Sequence, residues 1–299
     1  MGAKTETARD EGTERMSDDI GELAEWIGKS EDAYDECAVM LVRRVAALLN
    51  RDPYDFREGD PLPNGWQMCL FTPLTLTREL KGDGHAAVDT LMPPAPLPRR
   101  MLGGRRLYYH APVVIGDRLR RVSEVTAITP KEGRSGKLVI VTLRHSIYRE
   151  GADAPAIIEE QDTIYREEAA SGAAKKGPRA GVQPPGEPDF FDDIVTEPQQ
   201  LFRYSAICFN THRIHYDQAY TTETEGYPGL IVNGGLTALL LVDLLDRKLN
   251  EQPKSFEARN TGAVICGRPI RLCGMNTESG WTLWVQDENA NVLLEVKAT

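Results

Sequence analysis

APVVIGDRLR, residues 111–120, is answered further along the chain by GAVICGRPIR, residues 262–271. Val113 stands over Val264, Val114 over Ile265, Gly116 over Gly267, Leu119 over Ile270 and Arg120 over Arg271. In each copy an apolar run reaches a glycine and a second run begins beyond it, the pattern of strand, turn and strand. The stretches that follow agree. LVIVTLRHSIY (138–148) and DTIYRE (162–167) succeed the first copy, WTLWVQD (281–287) and VLLEVKA (292–298) the second, all with strand character. The repeat predicts two similar halves, each rich in strands.

Each half also holds an apolar helical segment ahead of its strands. AVMLVRRVAALLN (38–50) puts Val39, Val42, Ala46 and Leu49 on one face. GGLTALLLVDLLDRKL (234–249) places Leu236, Leu239, Leu240, Leu241, Leu244 and Leu245 around most of its circumference, so this helix must be buried on most sides. The expected fold class is α+β, with a long central helix wrapped by a curved antiparallel sheet, present twice. EEAASGAAKKGPRAGVQPPGEP (167–188) has almost nothing that packs and much that breaks regular structure, which marks a linker. The expected organisation is a disordered tail at 1–19, an amino-terminal unit at 20–166, the linker at 167–188 and a carboxy-terminal unit at 189–299.

With 299 residues, 41% hydrophobic and 27% charged, the chain is long enough for a sizeable core. Its formal net charge of −10 argues against nucleic acid as a partner, because phosphate backbones need concentrated Lys and Arg. Five scattered cysteines without a CxxC pair suggest neither a zinc site nor a disulfide framework, and fit a reducing cytoplasm. The opening residues are polar and acid-rich, unlike a secretory or organelle leader, and Glu6 stands where a myristoylation signal wants Ser or Thr. No apolar run is long enough to span a bilayer. A soluble cytoplasmic protein is expected, with no membrane partner.

The densest polar cluster lies between Arg203 and Leu241. Asn210, His212, Arg213, His215, Tyr216 and Asp217 fall together between apolar flanks, an arrangement that lines a crevice beside the core. A neutral histidine there exchanges protons near pH 7. Asn233-Gly234-Gly235 then opens the apolar helix. Backbone amides at a helix start, with no side chain at Gly234 or Gly235 to block approach, suit a developing oxyanion. His212 and His215 are spaced as metal ligands can be, but no third ligand follows at a persuasive spacing, and no metal is expected. Arg99, Arg100, Arg105 and Arg106 form the main basic island of this acidic chain, a candidate for ligand phosphates with a solvated loop as the plainer reading.

FNTHRIHYD (209–217), followed by EGYPGLIVNGGL (225–236), closely resembles the double-hotdog branch of the MaoC-like dehydratases. That branch includes mesaconyl-CoA (3-methylfumaryl-CoA) hydratases and mitochondrial-type 3-hydroxyacyl-thioester dehydratases. GDPLPNGWQMCLFTPL (59–74), MPPAPLPRRMLGGRRLYYHAPVVIGD (92–117) and GRSGKLVIVTLRHSIY (133–148) look like the amino-terminal hotdog of the same group. The resemblance runs from about Trp26 to the end, interrupted by the linker. It implies a tandem hotdog with one active site in the carboxy-terminal half, the degenerate amino-terminal half opening space for the acyl group.

Single-hotdog hydratases of this kind carry a DxNPxH motif. Laid on that pattern, His215 takes the His position, Asn210 that of the Asp, His212 that of the Asn and Arg213 that of the Pro. The resemblance thus implies proton transfer at His215. Asn210, which cannot take a proton as a carboxylate does, is assigned to holding the water. Asn233 is a second departure, since relatives often have His before the helix glycine.

The reading is a hydro-lyase acting on the α,β double bond of an acyl-CoA or acyl-carrier thioester, branched dicarboxylic ones such as mesaconyl-CoA included. His215 and Asn210 are the expected catalytic residues and Gly234 and Gly235 the amide donors. His212, Arg213, Tyr216, Arg99 and Arg100 are the expected substrate contacts. No cofactor is expected, because the thioester is itself the electron sink. The alternatives are a 3-hydroxyacyl-thioester dehydratase of fatty-acid or secondary metabolism, a thioesterase using Asp217 or Glu225, and a non-catalytic thioester-binding hotdog. Monomer and homodimer are both compatible with two hotdogs in one chain.

Overall fold

The structure is a computed structural model and describes residues 23–88, 90–94, 97, 99–133, 136–167, 181–249 and 252–299. Ten strands form one sheet in which every named pair is antiparallel. In the first half β1 (Ser30–Glu36), β2 (Arg99–Tyr109), β3 (Arg118–Gly133), β4 (Gly136–Arg149) and β5 (Ile157–Arg166) lie in the order β1-β3-β4-β5-β2. In the second half β6 (Phe190–Val195), β7 (Ser255–Asn260), β8 (Pro269–Thr277), β9 (Gly280–Asp287) and β10 (Val292–Ala298) run β7-β10-β9-β8-β6. That is the same order read from the opposite edge. The halves join where β2 pairs with β7, Leu107 opposite Phe256.

The sequence echo is a structural repeat. Val114 bridges Pro61 as Ile265 bridges Ile231. The Leu62 amide donates to the Val113 carbonyl at 2.8 Å, and the Val232 amide to the Val264 carbonyl at 2.9 Å. Gly116 and Gly267 turn the chain at φ of +101° and +82°, where a side chain would be strained.

Three helices pack beside the sheet: α1 (Val39–Leu48), α2 (Pro198–Ile207) and α3 (Gly234–Leu249). α3 is the expected central helix. It lies against β8, β9 and β10 with Leu236, Leu239, Leu241, Leu244 and Leu245 fully buried. Its one buried charge, Asp243, is met by Arg51 at 3.3 Å and Arg247 at 3.0 Å, as a charge inside a core must be.

α1 is not the counterpart of α3, which corrects the expectation of a central helix in each half. In chain order β1 and α1 match β6 and α2, and the two helices pack on each other. Between Arg51 and Leu97 the described residues hold only 3-10 turns, at Pro53–Asp55, Trp66–Cys69 and Thr77–Glu79. Pro61, Pro63 and Pro73, with Gly65 at φ +93°, interrupt any helix where the second half has α3. The tandem hotdog therefore has a filled second half and a first half whose sheet faces turns and loops.

The expected tail at 1–19 lies outside the described residues, as do 168–180 of the expected linker. Just beyond them Val182 bridges Val292. Among the described residues no helix is long and apolar enough to cross a membrane.

Candidate active site

Phe209 adopts a left-handed φ of +49° after α2 and swings the chain into the polar cluster. Asn210 anchors the turn. Its amide donates to the Ser205 carbonyl at 2.8 Å, and its Oδ1 accepts the His212 amide at 3.0 Å. The side-chain oxygen is thus engaged in a local turn, and the Nδ2 group is left to meet water.

A 3-10 turn at Arg213–His215 carries His215 inward, to 7% exposure. Its Nδ1 lies 2.8 Å from the Ile231 carbonyl oxygen. A carbonyl only accepts, so Nδ1 holds the proton and Nε2 keeps its lone pair free as a proton acceptor. Burial pulls the pKa of this ring below the ordinary histidine value. The Ile231 amide in turn donates to Ile214 at 3.0 Å, tying the turn to the strand-like approach to α3.

At the head of α3 the Asn233 carbonyl accepts the Thr237 amide at 3.0 Å. The amides of Gly234 and Gly235 precede the first intrahelical bond and have no acceptor within the helix. Gly234 is exposed and Gly235 half-buried. The Tyr204 hydroxyl stands so close to Gly235 that an added Cβ would overlap it. Asn233, 2% exposed, donates through Nδ2 to Ser205 at 3.3 Å and leaves its buried Oδ1 without a partner.

The first half shows the same position with its donor used internally. Gly65 is the structural counterpart of Gly235, three residues after Leu62 as Gly235 is after Val232. Its amide donates to Gln67 Oε1 at 2.8 Å and to the Tyr109 hydroxyl at 2.9 Å. The donor is consumed inside the protein, whereas that of Gly235 meets no acceptor among the described residues.

One contributor escaped the sequence reading. The loop at 81–85 crosses from the first half and lies on the polar turn that carries His215. The Arg213 amide donates to the Asp83 carbonyl at 2.9 Å, and the Thr211 hydroxyl to the Gly84 carbonyl at 2.6 Å. Gly84, at φ +92°, allows this approach, since a Cβ there would overlap the Thr211 carbonyl. His85 then lies tilted against His212 with ring centroids 4.1 Å apart, and His212 meets His215 edge-on at 5.5 Å. Three of the chain's five histidines converge here from both halves. GDGH at 82–85, a glycine-flanked turn ending in histidine, was the available signal.

Several expected contacts have other occupations. Arg213 pairs with Asp217 at 2.7 Å, donates to the Gly82 carbonyl at 3.0 Å and lies over the Tyr220 ring at 4.2 Å, so it fastens the loop. Tyr216 is exposed and donates to the Thr211 carbonyl at 2.9 Å. Arg99 and Arg100 open β2 opposite Arg166 and Tyr165, and their side chains lie outside what is described. The basic island is divided by strand alternation. Arg106 is held by Asp162 at 2.8 Å and Glu160 at 3.0 Å, while Arg105 reaches Glu159 at 3.0 Å on the opposite face.

Burial, with His85 and His215 adding to it, pushes His212 down to about 4. Both rings bind a proton less readily folded than unfolded, so their contribution to stability is complete above about pH 6.5 and is lost as pH falls below it, for His212 down to about 4. The urea midpoint is expected to drop between pH 7 and pH 5, and His212→Asn to flatten that drop. An unchanged slope in the variant would remove His212 from the balance.

The chain matches the family described as hydroxyacyl-thioester dehydratase type 2 over residues 65–266. It is 37% identical over 247 residues to the mesaconyl-C(4)-CoA hydratase of Chloroflexus aurantiacus, covering 83% of this chain and 86% of that one. Among solved structures, a MaoC-like dehydratase from Phytophthora capsici superposes with a TM-score of 0.66 at 16% identity, over 94% of this chain and 98% of that one. HtdX of Mycobacterium tuberculosis gives 0.62 at 15% identity, over 90% and 99%.

Proposed function

Because the chain belongs to the hydroxyacyl-thioester dehydratase type 2 family, we propose that it adds water to, or removes it from, the α,β bond of an acyl-CoA thioester at the His215 site. The observation that carries this reading is the pairing of a buried imidazole, its Nε2 free to accept a proton, with the unoccupied amides at the head of α3.

The thioester oxygen accepts from the Gly234 and Gly235 amides, whose helix dipole favours the negative charge that gathers there. In hydration, His215 Nε2 takes a proton as the water oxygen bonds to the β-carbon, and the resulting enolate-like carbon receives a proton to complete the product. Dehydration retraces these steps. Asn210 Nδ2 holds the water by donation to its oxygen, and Oδ1 keeps the turn in place. Elimination and addition both pass through the thioester's own electron sink, so the residues need only position and move protons.

The carboxylates that a thioesterase would require are committed elsewhere. Asp217 accepts from Arg213 and from the Tyr220 amide, and Glu225 accepts from the Tyr220 hydroxyl at 2.7 Å. The test is to follow the conjugated-enoyl absorbance of crotonyl-CoA and mesaconyl-CoA together with thiol release. Loss of absorbance without free thiol is the expected result. Thiol appearing in step with substrate loss would make the protein a thioesterase.

A further inference from the structure

We infer that Cys69 and Cys208 form a reversible oxidation site: Cys208 meets a hydroperoxide in an open hollow of the first half and then closes a disulfide with Cys69, joining the two halves beside the reacting centre. This goes beyond the hydro-lyase reading, because the bond forms whether or not a thioester is turned over.

The two sulfurs come from opposite halves of the chain, 139 residues apart in sequence, and lie 3.8 Å from each other. Cys69 ends the 3-10 turn at Trp66–Cys69. Cys208 caps α2, its amide donating to the Tyr204 carbonyl at 2.9 Å. Their exposures differ. Cys69 is 1% exposed and out of reach of solvent, whereas Cys208 is half-buried and lines a hollow of about 170 Å³ on the side where the first half has no central helix. Met68, Phe71, Arg105, Arg121 and His145 share that lining, and a peroxide of two heavy atoms has room there. A disulfide needs about 2.05 Å between its sulfurs, so the pair must close by less than ~2 Å. A half-buried side chain at a helix end can make that movement.

The attacking species is the thiolate, not the thiol. Cys208 is held below the ordinary cysteine value because its thiolate accepts from the Cys69 thiol, with the Tyr204 hydroxyl as a second donor and the Arg105 guanidinium adding positive charge. The same contact, together with burial, holds Cys69 well above that value. Burial pushes Cys37 and Cys273 up to about 12, and raises Cys266. One cysteine of the five is therefore both reachable and activated, and the sulfur it touches is placed to resolve it.

In the first step the Cys208 thiolate attacks an oxygen of the hydroperoxide. An S–O bond forms as the O–O bond breaks, leaving a sulfenic acid and, once protonated, water or an alcohol. The Cys69 thiol then gives up its proton and its sulfur attacks that of Cys208. The S–S bond forms, the S–O bond breaks and the hydroxyl leaves as water. The two thiols lose one electron pair and the peroxide gains it. Such a bond is compatible with a reducing compartment, where thiols restore both cysteines. It also touches the reaction. The Cys208 sulfur is the acceptor for the Tyr204 hydroxyl, which stands at Gly235, and Asn210 follows two residues on. Closing the bond withdraws that acceptor and ties down the approach to the His215 turn, so the oxidised form is slower.

The experiment treats the reduced full-length protein with hydrogen peroxide at neutral pH, alkylates the remaining thiols and maps the peptides without reductant. Wild type should show the Cys69 and Cys208 peptides joined, with three of its five thiols still open to alkylation and all five again after dithiothreitol. Cys69→Ser should stop at a dimedone-reactive sulfenic acid on Cys208, and Cys208→Ser should lose no thiol. Five free thiols in peroxide-treated wild type, or Cys208 oxidised further with Cys69 still free, would overturn the site. Should a variant fail to fold, the wild-type map decides. Crotonyl-CoA hydration should fall about tenfold on oxidation, the scale of one lost buried hydrogen bond, and return with dithiothreitol. Equal turnover in protein mapped as carrying the bond would overturn its effect on the reaction, whereas a reduced form that hydrates nothing would defeat the hydro-lyase reading and leave the disulfide to the map.

Discussion

Replacing His215 with alanine lowers enoyl-thioester hydration by about 10²–10⁴-fold, the usual contribution of a positioned acid–base group. The loss follows from the ring's surroundings. Nδ1 is committed to the Ile231 carbonyl, so Nε2 is the one atom left to accept a proton, and burial keeps the ring neutral in the working pH range. Alanine also leaves the Ile231 carbonyl short of a donor, at a cost of about 1–3 kcal/mol, which a domain of this size tolerates. His215→Gln separates the two effects, because an amide can still donate to Ile231 but cannot take the proton. Both variants should be equally inactive and the glutamine the more stable by thermal melting. Substantial turnover in either would remove His215 from the chemistry.

The second large effect is expected at Gly235. A methyl group there overlaps the Tyr204 hydroxyl, and Tyr204 is buried with little room to retreat. The first turn of α3 must shift, and the amides with it. Losing one oxyanion donor costs about 10²–10³-fold in turnover, and Gly235→Ala should fall in that range while KM moves less. Shortening the obstacle with Tyr204→Phe in the same chain should restore part of the rate. Gly234 offers the contrast. The nearest atom to a Cβ there is Asn260 Oδ1 at 4.0 Å, ordinary contact, so Gly234→Ala should melt like wild type, and any loss of rate reports on the approach of substrate.

What the sequence disclosed and what it hid have separate physical causes. The repeat at Gly116 and Gly267 was legible because a strand–turn–strand unit leaves apolar runs on either side of a glycine, and both glycines do turn the chain at positive φ. The helix at 234–249 was legible because its leucines surround it. The helix at 38–50 has the right periodicity too, but amphipathicity says only that one face is covered, not by what. α2, with a weaker apolar face, was the true partner of α1.

His215 stood out through its company in one short segment. His85 did not, because the contact that brings it to His212 depends on a loop crossing between halves. Arg105 and Arg106 looked like one basic patch, and alternation along β2 sends them to opposite faces. Arg121 and His145 each sit in a strand where nothing nearby in sequence hints at a shared hollow. Their meeting is a property of β3 and β4 side by side over a missing helix.

The central claim is that water is added to carbon beside an intact thioester. Running the reaction in ¹⁸O-labelled water tests it most directly, with the product read by mass spectrometry. The label should appear in a β-hydroxyl on a product still joined to CoA, and His215→Gln should abolish its uptake. Label in the carboxylate of a released free acid, or the same uptake in the variant, would contradict the account.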